Sequence, residues 1–195
     1  MCLLLAVSVW TWSLMRDRQY LDRELIRMHI VANSDTEADQ AIKLQVRDAI
    51  VASLSEGMKE IGDVQAAKDY LQMNLSKIEN VANQTLEKAG VDSRAVVTLC
   101  KEAFDTRKYD TFTLPAGVYE SLRVVIGEGQ GKNWWCVAFP ALCASATSEA
   151  FQQSAQTAGM DAALSETLSG EGDTQLRFYL LDVLGRVEKI GFRRK

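Results

Sequence analysis

The sequence RMHIVANSDTEADQAIKLQVRD, residues 27–48, decides the fold because it predicts a strand, a turn and a helix in succession. Apolar and β-branched residues around Ile30 and Val31 favour a strand, and Asn33-Ser34-Asp35 favours a turn. Ser34 and Glu37 fit a capping box, which predicts that Ser34 caps the following helix. The helix is indicated by apolar residues that recur every three to four positions, namely Ala38, Ile42, Val46, Ala49, Ile50 and Leu54.

The polar residues of this stretch have two interpretations. Asp39, Lys43 and Arg47 are spaced four apart, which predicts a ladder of ion pairs on a second face of the helix. Together with Asn33, Asp35 and Asp48 they form either a recognition surface for a partner or a set of capping and ion-pairing groups. The sequence leaves both interpretations open.

The apolar segment before this stretch is typical of a targeting sequence. Residues 2–15, CLLLAVSVWTWSLM, are shorter than the roughly 20 residues of a membrane-spanning helix and match the apolar part of a signal peptide. A charged start and a clear cleavage site are both missing, so we expect either that the start codon is placed too late or that the segment stays as an uncleaved anchor. A buried N-terminal helix is the alternative. Arg16-Asp17-Arg18 ends the segment abruptly, and residues 16–24 are expected to form a short linking helix.

The remaining chain alternates between helical and strand patterns. A helix capped by Asp63 is expected up to Gly90, with a break near Asn74, and a polar crossing over residues 104–110 separates the middle strands. We expect strands at residues 95–103, 118–126, 134–139 and 175–181, the second and third joined as a hairpin by a flexible glycine-rich loop, and a last helix at residues 182–190. Helices thus cluster early and strands late. This order predicts an α+β fold with a mainly antiparallel sheet and helices on one face.

Four segments are expected along the chain. They are a signal or anchor segment at residues 1–15, a core domain at 16–143, a mobile linker at 144–172 and a C-terminal strand with a short helix at 173–195. The linker prediction depends on a shift toward Ala, Ser, Thr, Gln and Gly.

Two blocks of sequence resemble the stage II sporulation protein R family. The first contains HIVANSD, DQAIKL and VRD, and the second is LPAGVYESLRVVIGEGQGKNWWCVAFPALC at residues 114–143. The resemblance implies a secreted signalling protein of endospore-forming bacteria, exported from the forespore to the space between two membranes. It also implies a partner, a membrane-embedded aspartic protease that matures a mother-cell sigma factor. Membrane association is expected through the N-terminal segment.

The second block adds candidate residues to the first. Alternation along the strand places Trp134 and Trp135 on opposite faces, one in the core and one available as an interface anchor. The alternative is that helices or the linker cover both rings. His29, the only histidine, faces away from Met28 and Ile30. We expect it to hydrogen-bond a neighbour, and we include it among the partner-binding candidates. In an exported chain Cys136 and Cys143 are expected to form a disulfide, with two buried thiols as the alternative and Cys100 as a buried strand thiol.

Composition and spacing argue against several other functions. The formal net charge of -4 and the lack of a basic stripe argue against nucleic-acid binding. No cysteine and histidine spacing predicts a metal site, and no motif predicts a cofactor. The glycine-rich loop lacks the register of a phosphate cradle. The remaining enzymatic alternative is a secreted hydrolase that uses His29 with Cys136, or the carboxylates of Asp35 and Asp39.

Overall fold

The computed structural model describes residues 2–58, 61–140, 148–170 and 174–193. The helices are α1 (Cys2–Arg23), α2 (Glu37–Met58), α3 (Val64–Lys88), α4 (Ser148–Thr157), α5 (Ala162–Ser169) and α6 (Gln175–Arg193). The strands are β1 (Ile26–Val31), β2 (Ala95–Phe104), β3 (Arg107–Lys108), β4 (Thr113–Leu114), β5 (Gly117–Ile126) and β6 (Asn133–Phe139). The class is therefore α+β, as predicted.

The main sheet is mixed, which corrects the prediction of a mainly antiparallel sheet. Its strand order is β2-β5-β1-β6. Strand β1 runs parallel to β5, with Met28 opposite Leu122, and antiparallel to β6, with Met28 opposite Cys136. The expected hairpin of β5 and β6 is wrong because β1 lies between them. A second, two-stranded sheet pairs β3 with β4 in antiparallel register.

The chain divides into two compact units. Unit 1 contains residues Met1–Leu25, Lys101–Tyr119 and Ser145–Lys195, and unit 2 contains Ile26–Cys100 and Glu120–Ala144. In unit 2, α2 packs on α3 and contacts β1. The stripe predicted on α2 contributes to this core through Ile42, Val46, Ile50 and Leu54, which are all buried.

Helix α3 follows the sequence prediction at both ends. The Asp63 carboxylate accepts a hydrogen bond from the backbone N–H of Ala66 at 2.8 Å, as expected of a helix cap. Gly90 follows the helix with a φ of +71°, a conformation that suits glycine. The break expected near Asn74 does not occur, since the helix is continuous over 25 residues.

The structure of unit 1 differs from several predictions for the two ends of the chain. The apolar segment and the expected linking helix form one helix, α1, and no helix within the described ranges is both long and apolar enough to cross a membrane. The expected linker holds α4 and α5. The expected strand at residues 175–181 is wrong, because this segment is the first part of α6.

Charged residues of α1 bind the C-terminal helices of unit 1. Arg16 pairs with Asp161 at 2.8 Å, and Asp17, which is almost fully buried, accepts a hydrogen bond from Nε of Arg177 at 2.9 Å. Arg18 donates to Glu188 at 2.8 Å and to the carbonyl of Ala116 at 2.9 Å. The polar residues that end the apolar segment therefore also pack against the rest of unit 1.

Candidate functional site

The two signature blocks meet in unit 2 through a set of hydrogen bonds that we call the clamp, formed by residues 32–36, 39, 40 and 43 together with residues 127–133. The N–H groups of Gln130 and Gly131 donate to the carbonyls of Asn33 and Ala32 at 3.1 and 2.9 Å. The backbone N–H of Lys132 donates to the Asp35 carboxylate at 2.6 Å. The glycine-rich loop is thus held against the turn that precedes α2, whereas the sequence predicted a flexible hairpin loop.

Glycines make this close approach possible. Gly127 has a φ of +56°, which disfavours any residue with a side chain. A Cβ on Gly131 would lie 2.1 Å from the carbonyl oxygen of Ser34, much closer than van der Waals contact allows. The glycine-rich sequence therefore has a structural cause that is unrelated to phosphate binding.

Asp39 organises the turn from the first residues of α2. Its Oδ2 accepts hydrogen bonds from the Ser34 hydroxyl at 2.5 Å and the Asn33 amide at 2.9 Å. The bonds from Ser34 and Asn33 lower the pKa of Asp39 below its ordinary value. The capping residue is Thr36 rather than Ser34, because the Thr36 hydroxyl accepts from the backbone N–H of Asp39 at 3.2 Å. The prediction of Ser34 as the cap is therefore wrong.

Lys43 belongs to the clamp and is not a solvated charge. Only 5% of the residue is exposed, and its ammonium donates to Gln40 at 2.6 Å and to the carbonyl of Lys132 at 2.9 Å. Burial lowers the pKa of Lys43, and the nearby charge of Asp35 acts in the opposite direction. The predicted ladder therefore does not form one exposed face, because Asp39 and Lys43 are used inside the clamp.

One accessible part of the signature is a small patch that we call the Arg47 patch, formed by Arg47, Asp48 and Trp134. The Arg47 guanidinium lies 5.0 Å from the centre of the Trp134 ring, a cation–π arrangement, and also pairs with Asp48 at 2.7 Å. Asp48 is exposed, and the other two residues are half-buried. The patch offers an aromatic surface flanked by both signs of charge.

His29 lies on the other face of the sheet from Trp134. Its ring stacks on Trp135 with centroids 3.8 Å apart, and its Nε2 lies 2.9 Å from the Asn133 side-chain oxygen. Register explains the pairing, since His29 is opposite Trp135 and Ile30 is opposite Trp134. The expected hydrogen bond of His29 to a neighbour is confirmed. Both tryptophans are half-buried, so neither is the fully buried core residue that alternation predicted.

The structure does not bring together the residues that the hydrolase alternative requires. Cys136 is opposite Met28, and side chains alternate along β1, so Cys136 and His29 point to opposite faces of the sheet. Asp39 is occupied by hydrogen bonds that hold it ionised, and Asp35 accepts from the loop backbone. Among the described residues, no group of three or more His, Cys, Asp and Glu side chains could hold a metal ion.

The cysteine predictions are settled only in part. Cys136 is buried in β6, and Cys100 carries a thiol in β2, half-buried rather than fully buried as expected. Cys143 lies outside the described residues. The Cys136–Cys143 disulfide therefore stays a prediction.

Several clamp residues were missed from the sequence, among them Thr36, Gln40, Gly131 and Lys132. A signal existed for Thr36, because Thr36 and Asp39 have the spacing of a capping box one step after Ser34 and Glu37. The Gln40 amide donates to the carbonyl of Ser34, and the carbonyl of Lys132 accepts from the ammonium of Lys43, far away in sequence. The role of Lys132 depends on a loop placement that no local pattern encodes.

Comparison with known proteins gives a family match that includes both signature blocks. The family model described as "Stage II sporulation protein R (spore_II_R)" matches residues 22–149. A stage II sporulation protein R from Bacillus subtilis (strain 168) is 38% identical over 120 residues, which cover 62% of this chain and 54% of the relative. The chain therefore spans about half the length of that relative. No solved structure matches the protein. Since the family model covers most of the chain and both signature blocks, the protein belongs to the stage II sporulation protein R family.

Proposed function

We propose that this protein is an extracytoplasmic signal of sporulation that activates a membrane-embedded aspartic protease, which then matures a sigma-factor precursor. The observation that carries the proposal is the family match over residues 22–149. Family membership supports the coarser part, a role in sporulation. The protease, the export from the forespore and the contact with the membrane through residues 2–15 are the finer parts, and they come from the resemblance.

The proposed role is that of a binding protein without catalysis of its own. The clamp residues are directed at one another, as expected of a scaffold that holds a surface in place. A general base would need a pKa near the working pH and a reactive group within reach. Asp39 instead has a lowered pKa and two hydrogen-bond donors, and His29 is stacked on Trp135. This chemistry favours recognition over hydrolysis.

We assign the protease contact to the Arg47 patch. Trp and Arg dominate the binding energy of many interfaces, because they bury large areas and retain polar contacts. Arg47 and Trp134 are already in contact with each other in the unbound chain, at 5.0 Å from guanidinium carbon to ring centre. Such pre-organisation lowers the entropy lost on binding. The clamp fixes the loop immediately before Trp134, so both signature blocks serve this one surface.

The test is co-expression of the complete gene with the protease and the sigma-factor precursor, with precursor cleavage as the readout. Arg47→Ala and Trp134→Ala should each reduce cleavage by about tenfold or more, the range of an interface hot spot. Arg94→Ala is the matched control, since Arg94 is exposed in the same unit and lies outside the patch. It should leave cleavage unchanged.

Two results would contradict the proposal at different levels. Full cleavage with both patch variants, at normal protein levels, would remove the patch from the proposal but leave the protease as partner. Precursor cleavage that is independent of this chain would overturn the proposed function itself.

A further inference from the structure

Helix α6 has apolar residues on two opposite faces, and unit 1 covers only one of them. The inner face contains Leu181 and Gly185, which are buried, and a Cβ on Gly185 would lie 1.6 Å from the carbonyl oxygen of Ala116. The outer face exposes Leu176, Tyr179, Val187 and Ile190, by 64%, 63%, 63% and 52%. A surface helix of a soluble domain normally has polar residues on this side.

The outer residues form one continuous stripe. Positions 176, 179, 183, 187 and 190 are separated by three or four residues, so they follow the helix surface over its whole length. Val183 fills the middle of the stripe and is half-buried. This spacing indicates a continuous apolar face. Isolated apolar residues on a surface are common and need no explanation, but these five residues are not isolated.

The charges beside the stripe are mainly positive. Helix α6 carries Arg177, Arg186, Lys189 and Arg193 against Asp182 and Glu188, although the whole chain has a formal net charge of -4. Both acidic residues have partners inside unit 1: Asp182 accepts from the backbone N–H of Ala116, and Glu188 accepts from Arg18. Arg177 and Lys189 also have partners there, Asp17 and Asp105, so the positive charge beside the stripe comes from Arg186 and Arg193. Arg186 pairs with Asp182, yet its side chain is 63% exposed. The sequence then continues with Arg194 and Lys195.

We propose that the outer stripe of α6 lies on an anionic lipid surface, with the helix in the plane of the interface. An apolar stripe with flanking basic residues is the pattern of interfacial helices, which insert the stripe and attract acidic headgroups. Tyr179 suits this position because its ring is apolar and its hydroxyl is polar. Helix α1 of the same unit also exposes the apolar residue Val9 and the aromatic residue Trp12, and tryptophan is enriched at membrane interfaces.

Charge favours a lipid over a second copy of the chain. Two copies that paired through this stripe would bring Arg186 and Arg193 of both copies to one interface, and like charges oppose such pairing. An anionic headgroup layer instead neutralises them. The inference goes beyond the proposed function and does not depend on it, because lipid binding requires neither the protease nor the precursor.

The experiment is co-sedimentation of the full-length chain with vesicles of phosphatidylcholine, with and without phosphatidylglycerol. The wild-type chain should bind the phosphatidylglycerol vesicles more strongly, and added salt should weaken that preference. The double variant Val187→Glu, Ile190→Glu should bind at least about tenfold more weakly, because two carboxylates oppose insertion and are repelled by acidic lipid. Arg186→Glu with Arg193→Glu should remove the preference for phosphatidylglycerol.

Met73→Glu is the matched control, since Met73 on α3 is 78% exposed and lies in unit 2. This variant should bind like the wild type, and circular dichroism should show that all variants are folded. Equal binding of the wild type and the stripe variant would overturn the proposal and assign vesicle binding to α1 alone. The proposal would also be overturned if the wild type did not bind vesicles and formed a dimer in sedimentation experiments that the stripe variant did not form.

Discussion

Gly131 shows how a single residue joins the two signature blocks. A Cβ at this position would meet the Ser34 carbonyl oxygen at 2.1 Å, and backbone atoms on both sides are held by hydrogen bonds. We therefore expect Gly131→Ala to lower the free energy of unfolding by about 1–3 kcal/mol, the usual cost of overpacking. Chemical denaturation measures this change.

The control for Gly131 is Gly62→Ala. No atom lies within 4 Å of a Cβ built on Gly62, so this variant should leave stability unchanged or raise it slightly. Equal stability of both variants would mean that the loop can move away from Ser34, and the clamp would then not be rigid.

Asp22 gives a pH dependence in unit 1. Burial raises the pKa of Asp22 to about 6, although Arg18 pairs with it and acts in the opposite direction. The unfolded value is about 4, so between these values the folded chain binds a proton that the unfolded chain has lost. This contribution to stability is present below about pH 4 and decreases as the pH rises toward about 6.

Replacement of Asp22 by asparagine should remove that dependence. We expect Asp22→Asn to raise the free energy of unfolding at pH 7 by about 1–2 kcal/mol, reduced from the full shift because the side chain is partly exposed. At pH 4 the two proteins should be equally stable. Denaturation curves at both pH values decide this, and a loss of stability at pH 7 would show that the pair with Arg18 outweighs burial.

At the scale of elements, the sequence predicted where strands lie better than how they pair. The alternation of apolar and polar residues identified β2, β5 and β6 almost to the residue, because this alternation is a local property of the sequence. Pairing is not local: β5 and β6 are neighbours in sequence, yet β1 is inserted between them. In the structure all six residues of the β1 sequence IRMHIV are buried, including the polar residues Arg27 and His29. Burial on both faces is typical of a central strand.

The error at α6 has a different cause. Leu176, Phe178 and Leu180 alternate, which over seven residues fits a strand as well as part of a helix. The segment becomes helical through contacts made later in the chain, where Leu181 and Gly185 pack in unit 1 four residues apart. Leu176 belongs to the outer apolar stripe, whereas Phe178 and Leu180 are half-buried, so residues from different sides of the helix together resembled an alternating strand.

The sheet order makes a prediction for hydrogen exchange. Because β1 has strands on both sides, its amides should be as protected as those of β5 and more protected than those of β6, which lies at one edge. Exchange followed by mass spectrometry of peptides that cover Ile26–Val31 and Asn133–Phe139 measures the difference. Faster exchange in β1 than in β6 would support the β5–β6 hairpin and contradict the mixed sheet.

For the whole molecule, the sequence suggested which blocks to consider but not the contacts that their residues make. The family signature pointed to residues 27–48 and 114–143, and the structure brings much of both blocks into unit 2. It could not show that Lys43 is buried while Arg47 is accessible, since both have the same charge and spacing. That difference arises from the loop at residues 127–133, which covers one side of α2 and leaves the other side accessible.

The last prediction separates stability from signalling across the two units. Asp182 is a buried carboxylate of unit 1 that accepts hydrogen bonds from Thr106 at 2.5 Å and from the Ala116 N–H at 2.8 Å. Asp182→Ala leaves these donors without their acceptor, so it should lower the free energy of unfolding by about 1–3 kcal/mol. Arg47→Ala changes a half-buried side chain of unit 2 and should leave the Tm nearly unchanged.

Precursor cleavage, divided by the amount of folded protein, should then distinguish the two variants. If unit 2 carries the contact with the protease, Asp182→Ala retains the wild-type value and Arg47→Ala loses most of it. The reverse result, with loss of normalised cleavage in Asp182→Ala alone, would move the contact to unit 1. Because Asp182 lies on the inner face of α6, opposite the apolar stripe, such a result would be tested next with Val187→Glu, which alters the outer face and leaves the inner contacts intact.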